Sequence, residues 1–150
     1  MDKTNKIIIP VDFTSTTNKV VKYAVSVADK MGAHVIFLHV VNDFQGYDML
    51  LVHPSFSLIT NDLKDRAEEK VASLVEDHQD LKYGVSGKVI IGNVAKEIVT
   101  FAASENADMI IIGARGVRGL EELLMGSTAK KVLDTALCPV LTFHPFRAKK

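Results

Sequence analysis

From Met109 to Ala129 the chain reads MIIIGARGVRGLEELLMGSTA, and few folds accommodate such a stretch. An apolar run of Met109, Ile110, Ile111 and Ile112 stops at Gly113. Two residues separate that glycine from Gly116, nine more precede Gly126, and Ser127 and Thr128 follow at once. The order is that of a strand, a glycine loop, a short helix, a second glycine turn and a helix. Glycine reaches positive φ without strain, and with no Cβ it lets backbone N–H groups come close to a bound group. Successive N–H groups facing inward make an anion cradle. Ser127 and Thr128 add hydroxyls beside the first turn of a helix whose apolar face is Ala129, Val132, Leu133 and Ala136. The unpaired N–H groups and dipole at that helix start favour phosphate. Either glycine group alone reads rather as a simple turn of the chain. Joined by a fixed spacer and followed by Ser-Thr, the two together point to a phosphate site.

Two better-known phosphate motifs do not apply. No Gly-x-Gly-x-x-Gly follows a strand, and Gly126 is followed by Ser127 rather than by the lysine of a P-loop. Neither a dinucleotide-dependent dehydrogenase nor a Walker-type NTPase is supported.

The 150 residues suit one domain spanning 1–150, with 47% apolar and 24% charged residues, values ordinary for a globular protein. Eighteen basic residues balance eighteen acidic ones, so no global field recruits nucleic acid or a membrane surface. The apolar runs are far shorter than the roughly 18 residues of a membrane span, and the polar start MDKTNK lacks the core of a signal peptide, which makes cytoplasm the expected compartment. A single cysteine, Cys138, precludes an intramolecular disulfide framework, and its place between Leu137 and Pro139 suits a buried, inert thiol.

Taken in order, Lys6 to Val11 reads as a first strand, whose continuous Ile7-Ile8-Ile9 run suits burial on both faces. Pro10 cannot donate to a ladder, so regular pairing should finish near it and leave Asp12 at the carboxyl end. Thr14 to Thr17 offer N-caps for a helix carrying Val20, Ala24, Val27, Ala28 and Met31, ended by Gly32. Val35 to Val41 is a second strand. A helix from about Asn61 to Asp77 follows, with Leu63, Ala67, Val71, Leu74 and Val75 as its inner stripe. Val85 to Ile91 is a less apolar third strand suited to an edge. A helix after Gly92 carries Val94, Ile98, Phe101 and Ala102; the fourth strand ends at Gly113 and the fifth is Pro139 to Phe143. Strands alternating with helices at this spacing predict an α/β fold, a parallel sheet with helices on both faces.

The spacing Gly113, Gly116, Gly126-Ser127 resembles the nucleotide-binding signature of the universal stress protein family, in its ATP-binding branch. IIIPVDFT near the start, FLHVV, IGNVAKEIVTFA and the closing CPVLTF also look like family blocks in family order. The resemblance covers nearly the whole chain. It implies a Rossmann-like, doubly wound five-stranded sheet of order 3-2-1-4-5, which puts the first and fourth strands together where the winding reverses. Ligands in such sheets bind outside the carboxyl ends at that point. It also implies that Pro10, Val11, Asp12 and Thr14 line the nucleoside end and that the Val40 backbone contacts the adenine edge. Gly113, Arg115, Gly116, Val117, Arg118, Gly126, Ser127 and Thr128 would then follow the phosphates. On residue type alone, Asp12 suits ribose hydroxyls, a share in a metal, or an N-cap. Thr14 is equally placed to cap, Val40 to be core, and Arg115 and Arg118 to be only solvated.

His34, His39, His53, His78 and His144 show no metal-ligand spacing, and His34 and His39 should face opposite sides of one strand. Glu121 and Glu122 read as a solvated helix face rather than as catalytic carboxylates. The segment 42–60, NDFQGYDMLLVHPSFSLIT, is long for a loop and too apolar for a free one; a lid over the nucleotide, a partner contact and a short helix all fit it. The terminal strand presents an edge that must be covered, and related proteins pair that strand across a two-fold axis, so a homodimer through about residues 139–144 is expected. FRAKK beyond it reads as a frayed basic tail.

The implied function is an ATP-binding sensor or switch in stress or metabolic regulation, acting on an unknown regulatory partner protein rather than as a dedicated catalyst. AMP or another adenine nucleotide is the alternative ligand, and Mg2+ would accompany the phosphates. A slow Mg-dependent ATPase or phosphotransferase, and a nucleotide-independent interaction module, are the competing readings.

Overall fold

Ile7, Ile8 and Ile9 have no exposed surface, which a strand achieves only when both its faces are covered. In the computed structural model, which describes residues 5–43, 54–114 and 125–145 and the backbone alone at 54–57, they form the middle of strand β1 (Asn5–Pro10). The remaining strands are β2 (Ala33–Asn42), β3 (Val85–Gly92), β4 (Met109–Gly113) and β5 (Val140–Phe143). The helices are α1 (Thr17–Met31), α2 (Pro54–Glu76), α3 (Val94–Ser104) and α4 (Ser127–Thr135). All strand pairs are parallel and the order is β3-β2-β1-β4-β5, the expected doubly wound arrangement.

The period-two alternation of each strand divides the core. Ile8, Ile36, Leu38, Ile110 and Ile112 meet Ala95, Ile98 and Ala102 of α3 and Ala129 and Val132 of α4. Ile7, Ile9, Val35, Phe37 and Ile111 meet Val21, Ala24 and Ala28 of α1 on the other face, with Leu74 and Val75 of α2 packed against them. α1 ends at Gly32, whose φ of 65° and ψ of 42° are left-handed and whose N–H reaches the Ala28 and Asp29 carbonyls. α3 starts at Asn93, whose side chain accepts from the Lys96 N–H at 3.1 Å.

Three expectations are corrected. α2 begins at Pro54 rather than near Asn61, so the last seven residues of the 42–60 segment are its first two turns; proline is tolerated in a first turn, where its missing N–H has no intrahelical acceptor. Residues 44–53 of that segment lie outside the described residues. Leu63 is 42% exposed and is not part of the enclosed stripe, and Leu58 and Ile59 are more exposed still. The cause is length: 23 helical residues run about 34 Å, whereas the eight of β3 span about 26 Å. Leu133, assigned to the inner face of α4, is also exposed, because Ala129 and Val132 alone turn fully onto the sheet. Among the described residues no helix is long and apolar enough to cross a membrane.

Cys138, between α4 and β5, is partly buried. That burial raises the pKa of its thiol above the ordinary value, a backbone hydrogen bond lowers it, and the Asp108 carboxylate adds a smaller upward push. The thiolate is the reactive form, so alkylation by iodoacetamide at pH 7 is expected to be slower in native than in unfolded protein. Its rate profile should be displaced to higher pH in the native state. At the other edge, Gly87 lets α2 approach β3: a Cβ there would stand 2.4 Å from Val71 Cγ1 and 3.0 Å from Val75 Cγ2. Gly87→Ala is expected to destabilise by about 1–3 kcal/mol through overpacking, read as a lower urea midpoint at unchanged slope.

Candidate functional site

The candidate site is built where the sheet reverses its winding. β1 pairs with β2 on one edge and with β4 on the other, and the chain leaves β1 toward β2 and β3 before returning to β4 and β5. α1, which follows β1, and α4, which follows β4, pack on opposite faces of the sheet, so the switch point lies between the carboxyl ends of β1 and β4, where sheets of this kind bind ligands.

At the β1 end, Pro10 is the last residue in register, opposite Leu38. Val11 continues the ladder by one bond, its N–H donating to the Leu38 carbonyl at 2.8 Å. Its own carbonyl accepts from the side chain of His39, whose Nδ1 lies 2.7 Å away. A carbonyl can only accept, so His39 carries its proton on Nδ1. The chain then turns sharply. Asp12 Oδ1 accepts from the Thr14 N–H at 3.1 Å, the Thr14 hydroxyl at 2.8 Å and the Thr17 hydroxyl at 3.1 Å. The spacing Asp, Thr at +2 and Thr at +5 permits this, since short polar side chains readily bond to nearby backbone. Phe13, inside the turn, has φ of +57°, a left-handed value uncommon for a bulky aromatic. Thr16, not Asp12 or Thr14, occupies the N-cap of α1 and makes no side-chain cap hydrogen bond.

Asp12 therefore holds its turn together through one carboxylate oxygen. Among the described residues Oδ2 has no partner, and the residue is exposed just beyond the carboxyl end of β1.

Val40 lies further along β2. The Val35 N–H points to β3, bonding the Gly84 carbonyl, whereas the Leu38 carbonyl points to β1. Backbone direction alternates along a strand, so Val40 turns its N–H and C=O to the β1 side, beyond the last paired residue of β1. Its side chain lies in the core against α3 and α4.

On the β4 side, Ala114 is fully buried and donates its N–H to the Phe143 carbonyl at 2.8 Å. The Ala114 carbonyl accepts from the Gly126 N–H at 2.6 Å, which ties the end of β4 to the start of α4. Gly126 has φ of −65° and ψ of 154°, values open to any residue. Its glycine serves proximity: a Cβ would stand 3.1 Å from the Ala114 carbonyl oxygen. Gly126 also precedes α4 without a side-chain cap. By helix geometry the Ser127 and Thr128 N–H groups have no acceptor within α4.

The structure thus brings Pro10, Val11, Asp12 and Thr14 to one strand end and Gly113, Gly126, Ser127 and Thr128 to its neighbour, with Val40 on β2. Arg115, Gly116, Val117 and Arg118 lie outside the described residues, as do Glu121, Glu122 and the FRAKK tail. Sequence reading took Thr17 only as a possible cap, yet its hydroxyl is the third donor to Asp12. It took His39 only as a histidine without metal spacing. The Asp-x-Thr-x-x-Thr spacing was an available signal for the first; nothing local signalled the second, which bonds across 28 residues. His34 lies on the opposite face of β2, near the Tyr83 carbonyl and Ser86 Oγ. No group of three or more His, Cys, Asp or Glu among the described residues is disposed to hold a metal.

Residues 3–144 match the Universal stress protein family. Universal stress protein MJ0531 of Methanocaldococcus jannaschii is 33% identical over 136 residues, covering 91% of this chain and 79% of that protein. The universal stress protein UspA from Lactobacillus plantarum shares the fold with a TM-score of 0.81 at 22% identity, over 95% of this chain and 99% of that one. A universal stress protein from Archaeoglobus fulgidus in complex with dAMP shares it with a TM-score of 0.63 at 20% identity, over 95% and 98% of the two chains. The chain belongs to the universal stress protein family.

Proposed function

We propose that this protein binds an adenine nucleotide, ATP in the first place, in the crevice between β1 and β4, and acts as a nucleotide-dependent switch in stress or metabolic regulation. The observation that carries the reading is the pairing of two strand ends: Asp12, with one carboxylate oxygen held by threonines, and the uncapped start of α4 behind Gly126. A carboxylate suits ribose hydroxyls, and the first N–H groups of a helix suit phosphate. The Val40 backbone supplies one donor and one acceptor, which matches a base edge bearing both, as adenine does. The dAMP complex of the Archaeoglobus fulgidus relative supports an adenine nucleotide on this fold.

The fit differs between the parts of the ligand. On this reading adenine would meet the Val40 backbone and the ribose would meet Asp12. Mg2+ has no preformed ligand cluster among the described residues, so it would arrive with the phosphates, which suits a hard cation that keeps several waters.

The switch works by population shift. A nucleotide reaching from Asp12 to α4 favours one arrangement of the 113–126 loop, by as much as it prefers that arrangement. β5, whose Phe143 carbonyl accepts from the Ala114 N–H at the start of that segment, is an edge strand, and pairing it with a second copy of the chain would make a cytoplasmic homodimer whose surface a regulatory protein reads.

Denaturing freshly purified protein is expected to release stoichiometric adenine nucleotide, identified by chromatography. Gly126→Val is expected to release none, because its side chain occupies the approach to phosphate. That change also presses on the Ala114 carbonyl, so Asp12→Ala serves as an independent second variant. Added Mg-ATP at a hundred times its Kd should raise the Tm by roughly 5–10 °C. No released nucleotide together with an unchanged Tm would leave the nucleotide-independent interaction module as the better reading. Mg-dependent phosphate release abolished by Asp12→Ala would instead make the protein a slow ATPase.

A further inference from the structure

His39 enters none of the nucleotide contacts above, yet it touches both residues that flank Asp12. Its Nδ1–H donates to the Val11 carbonyl at 2.7 Å. Its ring packs on Phe13 with centroids 5.1 Å apart and planes inclined at 46°. Lys70 of α2 places Nζ 5.6 Å from the centroid of the same Phe13 ring. Had β1 run on, the Val11 carbonyl would have taken a backbone N–H of β2. The imidazole takes that bond instead, so the chain stays anchored to β2 while leaving the sheet plane.

Phe13 needs such an anchor. Its left-handed backbone, φ +57°, is costly for an aromatic residue and persists only where the surroundings enforce it. That conformation lets the Thr14 N–H fold back onto Asp12 Oδ1, and the same turn aims the carboxylate. We propose that His39 is the positioning residue for Asp12, gripping Val11 before it and Phe13 after it, and so sets how strongly the site selects a ribose with free hydroxyls. The inference rests on the reading of Asp12 as the ribose acceptor.

The test compares the affinity of the full chain for ATP with that for 2′,3′-dideoxy-ATP, which lacks both hydroxyls. Hydrogen bonds to a carboxylate make a preference for ATP of roughly tenfold or more the expected wild-type value. His39→Leu, which keeps bulk and loses the donor, should bring this ratio near one by weakening ATP while leaving the dideoxy affinity within a few-fold. His39→Asn, whose amide nitrogen takes the place of Nδ1, should restore part of it. A merely structural histidine would weaken both nucleotides alike, and that result would overturn the proposal. So would a wild-type ratio in folded His39→Leu when Asp12→Ala has abolished it.

A wild type that binds both nucleotides equally, or an Asp12→Ala variant that keeps the preference, would refute the ribose reading itself and this inference with it. If His39→Leu does not fold, Phe13→Gly carries the test, since glycine accepts the left-handed backbone and removes only the ring. It should lower the ratio, and an unchanged ratio overturns the proposal.

Discussion

β1 is paired on both edges and covered on both faces, and its three isoleucines have no contact with solvent. Each such side chain contributes about 1.5–3 kcal/mol by leaving water, but the arrangement matters more for what it does to the chain. A central strand must have neighbours on both sides, so the connections from β1 and to β4 diverge. The switch point is therefore a consequence of burying Ile7, Ile8 and Ile9 in the middle of the sheet. It lies at the carboxyl ends because the chain leaves β1 there for α1 on one face and leaves β4 for α4 on the other.

The turn that follows β1 stores strain beside this switch point. A left-handed Phe13 costs on the order of 1–3 kcal/mol, and the opposing contributions can be named. Asp12 Oδ1 gathers three donors, each worth about 1 kcal/mol net, while His39 and Lys70 enclose the Phe13 ring. The turn uses one oxygen of Asp12, and among the described residues the other has no partner. The second glycine group shows a similar division. The Gly126 N–H secures the start of α4 to Ala114, and what it leaves for a ligand is room and the uncapped helix behind it.

Much of this was legible from the chain because short-range rules govern it. The Ile7-Ile8-Ile9 run reads as a strand buried on both faces whatever its neighbours, and Gly32 ends α1 because only glycine takes its φ readily. Gly113 and Gly126 stand where an apolar strand stops and a helix starts, so their place in the fold was visible from spacing. The exposure of Leu58, Ile59 and Leu63 on α2 was not. Leu63 continues the helical period of Ala67 and Val71, and nothing in that period records that the helix is longer than the strand it crosses. Leu133 fails as an inner residue for a related reason, since which part of an apolar face is enclosed depends on the neighbouring element.

The sequence by itself therefore determined most of the elements, the parallel α/β class and the glycine frame of the candidate site, because periodicity, capping and backbone conformation act over a few residues; the doubly wound strand order came from the family resemblance. Only the tertiary structure decided that His39 replaces a strand partner for Val11, that Thr17 completes the hold on Asp12, and that the Gly126 N–H turns inward to Ala114. The first joins strands across 28 residues of chain, and the other two depend on how a helix is laid against a strand end. Only Thr17 has a local signal, the Asp-x-Thr-x-x-Thr spacing; no local pattern encodes the other two contacts.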